Sequence, residues 1–206
     1  MTKKITIAID AMGGEDAPSK NIAGLDLFIK KNKNKKDFFF NIFGDQEKIN
    51  DELNKNKTIK ENIKIFHTTS VVSDEESPLK AIKNSKNSSM WNAVNSQLNV
   101  GSDITVSAGN TGVLFVISKM ILKNIDKISR PALAALWPNK KGSNVVLDLG
   151  ANVECDENNL VEFAEMGAAL YKSLFINEAP KVALLNIGSE EIKGTDTIKK
   201  AYNILN

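Results

Sequence analysis

The stretch Ser107-Ala108-Gly109-Asn110-Thr111-Gly112 constrains this chain more than any other. A short apolar run, Asp103 to Val106, precedes it, and a longer apolar-periodic run, Val113 to Leu122, follows it. That order predicts strand, glycine turn and helix. Such a turn aims backbone N–H groups and a helix N-terminus at one spot, which favours an anion. A phosphate or another small oxyanion is the expected ligand. Taken alone, the stretch reads equally as a plain tight turn. It lacks G-x-G-x-x-G, and no Walker A pattern occurs in the chain.

The same grammar repeats along the sequence. Lys4 to Ile9 alternates and reads as a buried strand, running into the loop Asp10 to Pro18. Asn21 to Lys31 carries apolar residues at helical spacing. Phe38 to Phe43 and Ile63 to Phe66 read as strands, with a polar helix over Glu47 to Lys57 between them. Thr68 to Pro78 is loop-like; Leu79 to Lys83 and Met90 to Leu98 read as helices. Further on, Pro131 to Trp137, Asn144 to Leu147 and Lys181 to Leu185 read as strands, and Leu160 to Phe175 and Ile198 to Leu205 as helices.

Alternating strands and helices predict an α/β fold of three layers, αβα, around a mostly parallel sheet. With 206 residues and 42% hydrophobic content, a single α/β domain over 1–206 is the expectation. In such sheets ligands sit beyond the carboxyl ends of the strands. Four loops there carry Gly, Asn or Asp: 10–14, 107–112, 148–152 and 186–194. Parallel topology would put all four on one edge.

Composition sets the outer limits. A net charge of +2 gives no argument for nucleic acid, and the lysines of Lys30 to Lys36 read as a solvated helix end. One cysteine allows no internal disulfide and suits a reducing compartment. The N-terminus has no long apolar stretch behind its basic residues, and Gly112 to Leu122 is too short to span a bilayer. A soluble cytoplasmic protein is expected.

Each marked residue has a functional and a plain reading. Asp10 and Asp148, at strand ends, can orient a cation or a substrate donor, or cap the next turn. Asn110 and Asn152 can donate to an oxyanion or occupy left-handed turn positions. Lys193, beside Gly194, can neutralise phosphate or stand as a solvated loop lysine. Arg130, the single arginine, can fork onto an anion or pair with a carboxylate. His67 is the single histidine, so a zinc-type metal site is not expected, and no nucleophile-elbow sequence makes it part of a triad. Nothing basic stands beside Cys155, which reads as an inert thiol.

Five ordered motifs then resemble one family together. They are Ile7-Ala8-Ile9-Asp10-Ala11-Met12-Gly13-Gly14, Ser107 to Gly112, Arg130-Pro131-Ala132-Leu133-Ala134, Val146-Leu147-Asp148-Leu149-Gly150-Ala151-Asn152, and Leu184 to Gly194. With Ser88-Ser89-Met90, they are similar to the phosphate acyltransferase of bacterial phospholipid synthesis (PlsX). The resemblance runs over essentially the whole chain.

The resemblance implies transfer of a fatty acyl group from acyl carrier protein to inorganic phosphate, giving an acyl phosphate for glycerol-3-phosphate acylation. It implies no cofactor and no metal. It also implies a fold like that of isocitrate and isopropylmalate dehydrogenases and of phosphotransacetylase, and a homodimer. The location implied is cytoplasmic, peripheral at the inner face of the membrane beside a glycerol-3-phosphate acyltransferase. The expected catalytic set is Asp10, Asn110, Asp148, Asn152, Asn186 and Lys193. Gly109, Asn110, Thr111, Gly112, Lys193 and Gly194 are expected to hold phosphate. Gly13, Gly14, Arg130, Gly188 and Glu190 are expected to contact substrate.

Two departures accompany the resemblance. Family members continue well past the last helix, into a part with much of the dimer contact and the membrane-facing helices, and their later Asp-Gly-Phe-Thr-Gly-Asn motif does not occur here. The chain therefore reads as the N-terminal part of the family domain, a fragment or one half of a split protein. Trp91 also follows Ser88-Ser89-Met90 where relatives commonly place arginine. The alternatives are a catalytically incomplete fragment that binds acyl carrier protein or a partner chain, and a phosphotransacetylase-like acyltransferase.

Overall fold

The computed structural model describes residues 4–206 apart from 33–36, 57–61, 76, 79, 81, 82, 84, 189 and 191. The chain divides at Lys123 into two units, Met1–Lys123 and Asn124–Asn206.

In the first unit four parallel strands form one sheet: β1 (Ile5–Asp10), β2 (Phe38–Gly44), β3 (Ile63–His67) and β4 (Ile104–Ser107). Their spatial order is β3-β2-β1-β4. The alternation seen in the sequence sorts side chains to the two faces. Ile7, Ile9, Phe40 and Ile42 pack with Ile22, Leu25 and Ile29 of helix α1 (Ser19–Lys31) and Ile49 of α2 (Gln46–Lys55). On the other face, Ala8 and Phe43 pack with Ala93 of α3 (Ser89–Asn99), and the Phe43 and Phe66 rings stack 4.8 Å apart. A further cluster joins Met90 and Val94 of α3 to Val113 and Ile117 of α4 (Thr111–Leu122). Helix, sheet and helix make the expected three layers.

The strand order fixes where a ligand can bind. The chain winds outward from β1 through β2 to β3, then returns to place β4 on the other side of β1. The winding reverses between β1 and β4, and the carboxyl ends of those two strands flank the switch point of the sheet. The loops 10–14 and 107–112 are the two that leave it.

Helix starts follow local chemistry. Asp45 caps α2, accepting from the Glu47 and Lys48 amides at 3.0 and 3.2 Å. The Gln46 amide donates to His67 Nδ1 at 3.2 Å, so the histidine serves the structure, as its isolation in the sequence suggests. Ser88 caps α3, accepting from the Trp91 amide at 3.1 Å. The helix expected over Leu79 to Lys83 falls on 79, 81 and 82, outside the described residues, as does part of Lys30 to Lys36.

The second unit holds an antiparallel hairpin, β5 (Ala135–Asn139) with β6 (Gly142–Val146), and helices α5 (Glu157–Leu174) and α6 (Asp196–Leu205). Helix α5 opens on a capping box: Asp156 accepts from the Asn159 amide at 2.8 Å, and Asn159 Oδ1 accepts from the Asp156 amide at 3.3 Å. Two expectations change here. The strand anticipated over Pro131 to Trp137 starts at Ala135 and continues through Pro138, which pairs with Ser143. A proline is tolerated where its missing N–H faces the outer edge of a ribbon. Lys181 to Leu185 forms no strand: Val182 and Leu185 are 51% and 94% exposed, so most of its apolar run stays unburied. Among the described residues no helix is long and apolar enough to cross a membrane.

Candidate functional site

Asp10 ends β1 with its carboxyl 1% exposed. The strand register sets Asp10 directly against Ser107 of β4. Ser107 Oγ donates to Asp10 Oδ2 at 2.7 Å, and the Met12 amide donates to Oδ1 at 3.3 Å. Burial pushes the Asp10 carboxyl above the ordinary range. The Ser89 and Ser107 hydroxyls and the Met12 and Gly13 amides hold it down only in part. Ser89 Oγ, at the first turn of α3, lies close enough to favour the charged form, yet it meets no hydrogen-bond geometry of its own. Among the described residues no cation contributes. Asp10 is a buried acid solvated by neutral donors.

Around it the backbone is drawn tight. Asn21 Nδ2 donates to the Ala11 and Gly13 carbonyls, both at 2.9 Å, and fixes the 10–14 loop to α1. Gly14 adopts φ +88°, a conformation that L side chains rarely take. The Gly109 amide donates to Ser107 Oγ at 3.2 Å. Asn110 caps α4, accepting from the Val113 amide at 3.1 Å, and its Nδ2 donates to the Asp74 carbonyl at 2.8 Å. Its φ is −53°, so of the readings offered for it the left-handed turn is not adopted. The turn brings together Gly109, Asn110, Thr111 and Gly112, and the first-turn N–H groups of Thr111 and Gly112 have no intrahelical acceptor. This corner can accept an anion on backbone N–H groups at the positive end of α4.

In the second unit Asp148 organises its own loop. Oδ1 accepts from the Leu133 and Ala151 amides at 2.9 and 3.3 Å, and Oδ2 from the Asn152 amide and Nδ2 at 2.7 and 3.0 Å. Burial pushes the Asp148 carboxyl up, but these donors outweigh it and hold the group below the usual range. Asn152 Nδ2 also donates to the Pro131 carbonyl at 2.9 Å, so both of its amide hydrogens are used within the loop. Asn152 also has no left-handed φ. Arg130 Nη1 donates to the Glu154 carbonyl at 2.7 Å. Burial and the nearby Asp148 push the Cys155 thiol up, Arg130 opposing them, which disfavours the thiolate.

The 186–194 loop is held by its own members. The Ile187 amide donates to Asn186 Oδ1 at 2.8 Å, Asn186 Nδ2 reaches the Lys193 carbonyl at 3.4 Å, and the Lys193 amide donates to the Glu190 carbonyl at 2.9 Å. Gly194 has φ +90°, and a Cβ there would stand 2.5 Å from Asn186 Oδ1. A Cβ on Gly188 would stand 2.6 Å from Glu190 Oε2 and 3.0 Å from Lys193 Cγ. Asn186, Gly188, Glu190, Lys193 and Gly194 therefore form one knot; Ser189 and Glu191 of this motif lie outside the described residues.

The four-loop expectation divides accordingly. It holds for 10–14 and 107–112, which leave adjacent parallel strands. Its premise fails for 148–152, which follows a strand of an antiparallel hairpin, and for 186–194, which follows no strand. Sequence reasoning singled out Asp10, quoted Ser89 within a motif without giving it a role, and passed over Asn21. The weight of Ser107 as Asp10's partner also depends on a register between residues 97 apart. The only signal in the sequence is a polar residue at each element end.

Comparison with known proteins bears on this geometry. A family model described as "Fatty acid synthesis protein" matches residues 5–206. The phosphate acyltransferase of Pelagibacter ubique is 53% identical over 206 residues, covering all of this chain and 60% of that protein. The phosphate acyltransferase of Ehrlichia canis is 43% identical over 202 residues, covering 98% of this chain and 60% of that protein. The chain thus spans about 60% of the length of these curated relatives. Among solved structures, EutD phosphotransacetylase from Staphylococcus aureus aligns with a TM-score of 0.68 at 17% identity, over 98% of this chain and 64% of that one, a likeness of fold alone. By the match over residues 5–206, the chain belongs to the fatty acid synthesis protein family, to which it is joined by relatives named phosphate acyltransferase.

Proposed function

We propose that this chain serves the transfer of a fatty acyl group from acyl carrier protein to inorganic phosphate, giving an acyl phosphate for phospholipid synthesis. The observation that carries the reading is the glycine turn 109–112 at the switch point of a parallel sheet, beside a buried acid, in a chain whose single thiol, Cys155, is pushed away from its thiolate form. Phosphate is then the nucleophile. One of its oxygens bonds to the thioester carbonyl carbon. The tetrahedral oxyanion collapses, the carbon–sulfur bond breaks, and the thiolate of the carrier protein leaves and takes up a proton. No covalent enzyme intermediate is needed. The protein's work is to hold an anion near a carbonyl and stabilise developing charge.

Roles follow from each unit's own geometry. The Thr111 and Gly112 amides, with Gly109 and Asn110 shaping the turn, receive phosphate. Asp10 orients that turn, and Gly13 and Gly14 let the backbone approach. In the second unit Asp148 and Asn152 hold their loop together. Lys193 and Asn186, beside Gly188, Glu190 and Gly194, supply charge and a donor to phosphate or the thioester oxygen, and Arg130 contacts substrate. The family relation further supports a homodimer working at the inner face of the membrane, beside a glycerol-3-phosphate acyltransferase.

The test is acyl phosphate formation by the protein from two donors, a long-chain acyl carrier protein thioester and acetyl-CoA, with inorganic phosphate. Product from the carrier-protein thioester supports the reading. Product from acetyl-CoA alone makes the protein phosphotransacetylase-like, and carrier-protein binding without product makes it a binding chain.

A further inference from the structure

We propose that Ser107 is a positioning residue that couples the Asp10 carboxylate to the placement of the Gly109 amide and so sets the shape of the 109–112 turn. The inference rests on the reading of that turn as the phosphate site. Ser107 has one hydroxyl hydrogen, and the 2.7 Å bond to Asp10 Oδ2 uses it. Its lone pair then faces the Gly109 N–H, which donates to it at 3.2 Å. The carboxylate thereby decides which way the Gly109 amide points: inward, onto the serine. Thr111 and Gly112 N–H groups, which have no intrahelical acceptor, are left as the donors of the turn, while Asn110 occupies the Val113 amide.

Packing leaves this arrangement no room to drift. A Cβ on Gly13 would stand 2.5 Å from Asp10 Oδ2, 2.8 Å from the Gly109 nitrogen and 3.0 Å from Ser107 Oγ. The relay therefore closes against bare backbone. The groups that act on Asp10 are Ser89, Ser107 and the Met12 and Gly13 amides, all neutral. With no cation among the described residues to solvate the buried carboxylate, loss of one hydroxyl donor is felt directly.

The experiment is NMR on the chain with Ser107 as Ala, Thr or Cys. The readouts are the Asp10 carboxyl carbon followed through a pH titration, the Gly109 amide shift, and the response of the Thr111 and Gly112 amides to added inorganic phosphate. We expect Ser107→Ala to raise the Asp10 midpoint, move the Gly109 amide and weaken the phosphate response about tenfold, a charge-assisted hydrogen bond being at stake. Ser107→Thr, which keeps the hydroxyl, should restore all three. Ser107→Cys keeps the size with a poor donor and should behave as Ala, so the comparison survives if the Ala variant does not fold. An unchanged Asp10 midpoint and Gly109 shift in the Ala or Cys variant overturns the relay. Wild-type Thr111 and Gly112 amides that ignore phosphate overturn the phosphate reading instead, and the midpoint and the Gly109 shift still decide the relay.

Discussion

Gly13 and Gly109 face each other across the ends of β1 and β4: a Cβ on Gly109 would stand 3.3 Å from Gly13 Cα, and a Cβ on Gly13 would stand 2.8 Å from the Gly109 nitrogen. Two loops separated by almost a hundred residues meet there as backbone. Both glycines are thus a requirement of packing between parallel strands.

The contact makes Gly13→Ala costly. Its methyl group would press on a backbone nitrogen and on two side-chain oxygens that are hydrogen-bonded to each other. Overpacking of this kind costs about 1–3 kcal/mol. Gly24, inside α1 with nothing within 4 Å of a built Cβ, is the control. Gly24→Ala should stabilise by about 0.5–1 kcal/mol through helix propensity. Urea unfolding of the two variants should move in opposite directions, and equal midpoints would contradict the packing account.

Asp10 should give stability a downward slope with pH. Its folded value is raised above 3.8 by burial. Between 3.8 and the raised value the folded state keeps a proton that the unfolded state has lost, so stability falls as pH rises through that interval and then levels. Asp10→Asn removes the titration. The variant should gain on the wild type as pH rises above 3.8 and through the raised value in paired unfolding curves. Parallel curves would mean that Asp10 is not desolvated.

The first unit was legible because its signals are local. The alternation of Lys4 to Ile9, bounded by Asp10, names both strand and face, and the aromatic run Phe38 to Phe43, bounded by Gly44, names a strand. Lys181 to Leu185 is a short apolar run that forms no strand, because such a run states only that it can be buried, not that a neighbour is there to bury it. Asn110 shows a second limit. Cap, turn residue and ligand donor have one sequence signature, and only the backbone φ and the Val113 contact separate them. The Asp10–Ser107 pair needed the β1–β4 register, which no window of sequence contains.

Asp148 should slope the other way. Its carboxyl is held low, so its stabilisation is present above 3.8 and is lost as pH falls through the folded value. Asp148→Asn would turn an NH2 group toward donors that now meet oxygen. At pH 7 the variant should lose about 1–3 kcal/mol, the cost of leaving such groups unpaired. The gap to wild type should close on acidification below 3.8. A gap constant with pH would show that the loop does not depend on the charge.

Lys193 carries the prediction closest to the reaction. If it neutralises phosphate, Lys193→Ala in an active form of the protein should raise KM for phosphate about tenfold or more, in line with loss of a charge-assisted contact. KM for the acyl donor should move far less. Lys193→Arg should recover part of the loss. An unchanged phosphate KM would remove Lys193 from the site and leave it a solvated loop residue.

Two contacts of the Asn110 side chain can be separated by substitution. Its Oδ1 caps α4 and its Nδ2 tethers the Asp74 carbonyl, so the side chain joins the glycine turn to the 68–78 loop. Asn110→Ala removes both and should cost about 1–2 kcal/mol, a cap and a hydrogen bond. Asn110→Asp keeps the cap, and its charge suits a helix N-terminus, but it has no hydrogen to offer Asp74. Stability should then remain near wild type while the 72–75 amides exchange faster. Val72, buried against Met90 and Val113, is the residue through which that loosening should reach the core. Equal exchange in the Asp variant and the wild type would show that the loop is held by Val72 packing and not by the tether.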